Sequence, residues 1–202
     1  IDVTVFKSVD SLHHPTSVIK EAQELAADAY GADNSFFALH GTSGAIQGMI
    51  MSTVNPGDKV LIPRNVHKSV TAGIILSGAS PVYMQPEINK TLGIAQGISP
   101  DTVKKALEEN PDTKAVLIIN PTYYGVATDL KKIVDIVHNY NIPIMVDEAH
   151  GPHLAFSNKL PMSALEAGAD ICAQSTHKII GSLTQASLLH VKSKFISADR
   201  VQ

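Results

Sequence analysis

The chain has 202 residues, 44% of them hydrophobic, a formal net charge of −3 and one cysteine. That size and apolar content suit one α/β domain or a large piece of a longer protein. The charge balance leaves no basic footprint for nucleic acid and no polybasic membrane patch, and no apolar run approaches the ~20 residues of a spanning helix. No charged segment precedes an apolar one in the manner of a signal peptide. Cys172 has no second cysteine to pair with and reads as a buried core thiol, which suits a reducing cytoplasm.

In chain order, residues 17–31 (SVIKEAQELAADAYG) carry strong helix formers and stop at a glycine suited to the C′ position. Residues 35–41 (SFFALHG) read as a strand, and 42–54 (TSGAIQGMIMSTV) as the helix after it. The strand at 59–63 (KVLIP) is followed by a helix at 68–78 and the strand at 80–84 (SPVYM). Ser99, Pro100 and Asp101 form a helix start signal for residues 99–110. The strand at 114–120 (KAVLIIN) precedes a segment with helical apolar spacing from Leu130 to Val137. Strands at 142–149 (IPIMVDEA), 169–175 (ADICAQS) and 186–191 (ASLLHV) follow.

Short, near-continuous apolar strands are what a sheet covered on both faces requires. Their alternation with helices predicts right-handed crossovers and a parallel sheet. The last two strands stand too close for a helical crossover, so the last is expected to be antiparallel. The predicted fold is a three-layer α/β/α sandwich with a mostly parallel seven-stranded sheet. There is no internal repeat and no low-complexity tract.

Polar clusters follow five of the strands: Gly41-Thr42-Ser43-Gly44, Arg64 to His67, Asn120 to Gly125, Asp147 to His150, and Ser175 to Lys178. Open α/β sheets bind ligands outside the carboxyl ends of their strands, so these clusters are positioned to share one pocket. Thr42 and Ser43, at the start of a helix, can hold a phosphate; the alternative is an ordinary helix cap. Neither a G-x-G-x-x-G fingerprint nor a P-loop occurs, which argues against NAD and ATP. Asp147 ends a very apolar strand and needs a partner, either a protonated pyridine nitrogen or a metal held with Glu148, His150 and His153. The metal alternative lacks a recognised zinc signature, and no metal is expected. Lys178 either marks an exposed turn or offers an amine. A phosphate loop, an acid and a lysine able to form a Schiff base are the parts that pyridoxal phosphate needs from a protein.

These motifs also carry a resemblance. HHPTSVIKEAQELAADAYGAD, GTSGAIQ, RNVHKSV, NPTYYG, DEAHGPH and STHKIIGSLTQASLLH resemble, in the same order, segments of the Orn/Lys/Arg decarboxylases, pyridoxal-phosphate enzymes of fold type I. The resemblance spans nearly the whole chain and implies an aspartate-aminotransferase-like large domain. It implies Lys178 as the lysine that holds the cofactor, Asp147 at the pyridine nitrogen and His67 stacked on the ring. Thr42, Ser43, Gly44, Ser175 and His177 match the phosphate site, and Ala149 and His150 match the cofactor's face. Ala45 stands where the family often has a second glycine. The implied activity is decarboxylation of lysine, ornithine or arginine in the cytoplasm, by a homodimer or higher oligomer with its site at the subunit interface. Another fold type I reaction (transamination or aldol cleavage) and a non-catalytic, decarboxylase-like subunit are the alternatives. Family members have more chain before Ile1 and a small domain after the lysine segment, so residues 1–202 are expected to be the cofactor-binding domain of a longer enzyme.

Overall fold

A computed structural model describes residues 9–202. Helix α1 (Val18–Tyr30) leads into β1 (Asn34–Ala38), and α2 (Gly41–Thr53) into β2 (Lys59–Pro63). Next come α3 (Lys68–Ser77), β3 (Ser80–Met84), a small hairpin of β4 (Ile88–Asn89) and β5 (Ile94–Ala95), and α4 (Pro100–Glu109). The chain continues through β6 (Thr113–Ile119), α5 (Leu130–Asn139), β7 (Ile144–Asp147) and a 3-10 turn at Leu154–Phe156. It ends with α6 (Ala164–Ala167), β8 (Ile171–Gln174), α7 (Thr176–Ile179), β9 (Ser187–Val191) and α8 (Ala198–Val201).

The main sheet has seven strands in the order β1-β9-β8-β7-β6-β2-β3. Strand β9 runs antiparallel to both its neighbours, and the other pairings are parallel. All seven expected sheet strands form, and the last is the antiparallel one, inserted beside β1 rather than at an edge.

Strand alternation divides the core into two layers. Val60, Ile62, Leu117, Met145, Ile171, Ala173 and Leu189 pack with α2 and α3 on one face. Leu61, Val116, Ile118, Ile144, Val146 and Cys172 pack with α4 and α5 on the other. Continuing the alternation past the strand ends, Asp147, Ser175 and Ser187 belong to the α2 face. Glu148, Gln174, His190 and Ser35 belong to the α5 face. Ala45 buries its methyl group in the α2-side core. Among the described residues, no helix is long and apolar enough to cross a membrane.

Candidate active site

A cavity of about 450 Å³ opens at the carboxyl ends of the strands, against the first turn of α2. Gly41 begins that turn with φ +63°, a conformation that favours glycine, and the Gln185 carbonyl lies 3.7 Å from where a Cβ would stand. The first N–H groups of a helix have no intrahelical acceptor, so this end of α2 suits an anion.

Three hydroxyls are stacked beside it. Ser187 Oγ donates to the Gln174 carbonyl at 2.8 Å and lies 2.9 Å from Thr42 Oγ1, which in turn contacts Ser175 Oγ. With its proton committed to Gln174, Ser187 accepts from Thr42, and Thr42 accepts from Ser175. His177 Nδ1 donates to the Ala186 carbonyl at 2.8 Å, leaving Nε2 free.

On the cavity floor, Asp147 is 4% exposed, and one carboxylate oxygen accepts from Ala149 N–H at 3.2 Å. Burial raises its pKa, opposed by that N–H and by the neighbouring His67 and Lys178. The carboxylate therefore faces the cavity short of a cation. His67 caps α3: its Nδ1 accepts from Ser69 N–H at 3.2 Å, which fixes the imidazole at the cavity wall.

Lys178 sits on α7, one turn beyond β8, and its Nζ lies 3.2 Å from His150 Nε2. Burial, then the neighbouring Lys178 and His67, lowers the His150 pKa, so the ring is neutral at pH 7 and accepts from the amine.

Nine of the ten residues singled out from sequence line this one cavity: Thr42, Ser43, His67, Asp147, Ala149, His150, Ser175, His177 and Lys178. Gly44 does not line it; a Cβ there would meet His40 Cβ at 3.0 Å, on the inner side of the turn. Lys178 lies on a helix rather than in a simple turn. In the DEAHGPH run, Asp147 and His150 reach the cavity, whereas Glu148 leaves through the opposite face. Among the described residues, no group of three His, Cys, Asp or Glu side chains converges as a metal site. Asn65 and Tyr123, members of two of the five strand-end clusters, also line the cavity, whereas sequence reasoning passed over Ser187, which anchors Thr42, and Thr184 and Gln185, which line it. Gln185 is a non-glycine residue at φ +66°, a strained conformation of the kind that gathers at functional sites.

The fold and the placement of a lysine, a carboxylate and a helix-end anion site define an aspartate-aminotransferase-like large domain. The same fold is found in alanine–glyoxylate aminotransferase from Nostoc (TM-score 0.72, 17% identity, 91% of this chain and 46% of that one). Residues 1–202 match the family model of the Orn/Lys/Arg decarboxylase major domain, and the chain belongs to that family. It is 57% identical over its whole length to arginine decarboxylase from Bacillus cereus, covering 44% of that protein. It is 31% identical to the biodegradative arginine decarboxylase of Escherichia coli, over 92% of this chain and 27% of that protein. Lysine decarboxylase A from Pseudomonas aeruginosa superposes with a TM-score of 0.85 at 29% identity, over 98% of this chain and 29% of that one. The chain thus spans less than half the length of these curated relatives.

Proposed function

We propose that this domain binds pyridoxal phosphate and, within the complete protein, decarboxylates a basic amino acid to the corresponding amine. The observation that carries the reading is one cavity joining a reachable amine, a buried carboxylate short of a cation and an anion site. These are complementary to an aldehyde, a protonated pyridine nitrogen and a phosphate, and the volume suits a cofactor of that size. When bound, pyridoxal phosphate supplies an aldehyde that condenses with amines and a ring that accepts the electron pair released at the amine's α-carbon.

The protein's share is binding, orientation and proton placement. The first turn of α2, with Thr42, Ser43, Ser175 and His177, would hold the phosphate, and Ser175 could turn its proton from Thr42 toward it. Asp147 keeps a proton on the pyridine nitrogen, and that positive charge offsets the desolvation of its carboxylate. His67 would lie against the ring face, with Ala149 and His150 beside it. Lys178 offers the amine, and His150 takes or returns its proton. The rim carries exposed apolar side chains: Tyr123, and Leu183 next to the cavity-lining Thr184. These favour a second copy covering the site. A cytoplasmic setting, expected from the single thiol, belongs to the same proposal, as does the reading of residues 1–202 as the cofactor-binding domain.

The test uses the complete protein with pyridoxal phosphate, borohydride and peptide mapping, followed by carbon dioxide release from lysine, ornithine and arginine. The expected results are covalent label on Lys178, lost in Lys178→Ala, and an amine product from one of the three substrates. Label on Lys68 or Lys192, or a keto acid product, would overturn the reading.

A further inference from the structure

The adjacent acids Asp147 and Glu148 part ways. Asp147 lines the cavity, whereas Glu148 is fully buried on the other face of the sheet, where two neutral donors meet it. Ala164 N–H donates to its Oε1 at 2.7 Å, and Gln174 Nε2 donates to its Oε2 at 2.7 Å. Gln174 Oε1 lies 3.1 Å from His190 Nε2, and His190 Nδ1 lies 2.6 Å from Ser35 Oγ. Burial pushes His190 down to about 4, so the ring is neutral near pH 7. A neutral ring that donates from Nε2 must accept at Nδ1, which makes the Ser35 hydroxyl the donor. Every donor in the row therefore points the same way, from Ser35 through His190 and Gln174 to Glu148. The row runs from β1 through β9 and β8 to the turn after β7, and all four side chains are buried.

Burying a carboxylate is unfavourable unless its hydrogen bonds are complete, and burial pushes Glu148 up to about 7 against its two donors. Hydrogen bonds in series polarise one another, which favours the ionised acceptor at the end. The same turn is tied down twice more. Tyr30 of α1 stacks on His190 with ring centroids 4.6 Å apart, and its hydroxyl donates to the Pro152 carbonyl at 3.1 Å. At Gly151 a Cβ would stand 2.6 Å from Glu148 Cγ and 2.9 Å from Pro121 Cδ, so the turn closes directly onto the glutamate.

We infer that Glu148 is a positioning residue: it is the terminal acceptor of a four-residue hydrogen-bond row that fixes the 147–152 turn, and with it the aim of Asp147 and His150 into the cavity. The row's geometry is independent of any ligand; only the cofactor arm of the test below rests on the function proposed above.

The test compares Glu148→Ala, Glu148→Gln and the exchanged pair Glu148→Gln with Gln174→Glu in the complete protein. The first readout is cofactor-free NMR of the histidine rings. His150 faces Lys178, His67 and Tyr123, and in Glu148→Ala its titration should move toward the ordinary histidine value as the turn slackens. In Glu148→Gln an amide N–H meets a donor, so the row should reverse, with the Gln174 amide flipped and His190 protonated at Nδ1. In the exchanged pair the amide at position 148 accepts from Ala164 and donates to the carboxylate at 174, which accepts from His190 Nε2–H. That pair should restore both the His190 tautomer and the His150 titration. The second readout is affinity for pyridoxal phosphate, which should fall on the order of tenfold in Glu148→Ala and recover in the exchanged pair.

An unchanged His150 titration in Glu148→Ala, with only a lower thermal midpoint, would reduce Glu148 to packing. His190 protonated at Nδ1 in the wild type would also overturn the row. If Glu148→Ala does not fold, the exchanged pair decides: failure to restore both histidine signals sinks the inference. Wild-type protein that binds no pyridoxal phosphate but gives the expected histidine signals would remove the proposed function and support the row.

Discussion

The Lys178 amine lies 3.2 Å from Nε2 of His150, and His150 is neutral at pH 7 because burial and nearby positive charge disfavour its protonation. The hydrogen bond therefore runs from ammonium to imidazole. Lys178 must lose a proton before its nitrogen can attack a carbonyl, and the acceptor is already in contact. Tyr123 stands edge-on to the His150 ring at 5.6 Å between centroids, which limits its rotation.

Removing that acceptor should slow catalysis by about 10²-fold, the lower end of general acid–base contributions. His150→Ala should show this in kcat for carbon dioxide release at saturating cofactor, with secondary structure unchanged. In the wild type, activity requiring neutral His150 is lost as pH falls through its lowered pKa. The acid limb assigned to His150 should thus lie below the ordinary histidine range and disappear in His150→Ala. An unchanged kcat would leave Lys178 without a proton partner in His150.

Asp147 poses a conflict between stability and function. Its pKa is raised in the cofactor-free fold, so its contribution to stability is full below the unfolded value of 3.8 and is lost as pH rises through the folded one. Glu148 adds to the same trend between its ordinary value of 4.5 and about 7. Cofactor-free wild type should therefore lose stability as pH rises across that window. Asp147→Asn should have the higher thermal midpoint at pH 7, with the gap closing toward pH 4, while decarboxylation falls severely. Thermal scans across pH without cofactor, paired with single-turnover decarboxylation, check both halves. Near-native turnover in Asp147→Asn would make Asp147 a structural residue.

Ser187 gives a way to isolate the phosphate. It accepts from Thr42 and passes its own proton to the Gln174 carbonyl, so Ser187→Ala leaves the Thr42 hydroxyl free to reorient. Lost hydrogen bonding should lower stability by about 1 kcal/mol. Affinity for pyridoxal phosphate should fall several-fold, while affinity for pyridoxal, which has no phosphate, should stay the same. Equal losses for both ligands would place Ser187 outside the phosphate site.

The sheet was legible in sequence because doubly covered strands are near-continuous apolar runs; KVLIP and KAVLIIN leave little alternative. Four of the five long helices carried strong helix formers, a cap or helical spacing; Ser99 does accept from Thr102 N–H, while the Asp129 cap on Lys132 N–H was not singled out. The β4–β5 hairpin has two residues per strand and α7 has four residues, too short for any period to register. The strand-end polar residues that line the cavity could be collected because the topology of open sheets brings those ends together. Glu148 was grouped with Asp147 as a potential metal ligand, although strand alternation alone separates the two faces. Gln174 and His190 lay inside apolar strands, and their partnership depends on β9 inserting between β8 and β1, a long-range choice no local pattern records.

Asp170 tests whether the two ends of the sheet act independently. It stands just before β8, at the strand end opposite the cavity, and is 2% exposed. Its Oδ2 accepts from Ile144 N–H at 2.9 Å and lies 2.9 Å from His138 Nε2, while Ser193 Oγ donates to Oδ1 at 2.7 Å. The same Ser193 oxygen accepts from Phe195 N–H at 2.9 Å, so one carboxylate ties the start of β7, the end of α5 and the segment after β9. Asp170→Ala leaves a buried backbone donor and two side-chain donors without their acceptor, which should lower stability by roughly 2–4 kcal/mol. His138→Ala removes a half-exposed partner and should cost only about 1 kcal/mol. Because neither residue reaches the cavity, the folded fraction of each variant should keep the wild-type affinity for pyridoxal phosphate. Denaturant titration beside cofactor titration separates the two quantities. A loss of affinity in Asp170→Ala under strongly folding conditions would show that β7 and β8 transmit strain along their length to Asp147 and Lys178.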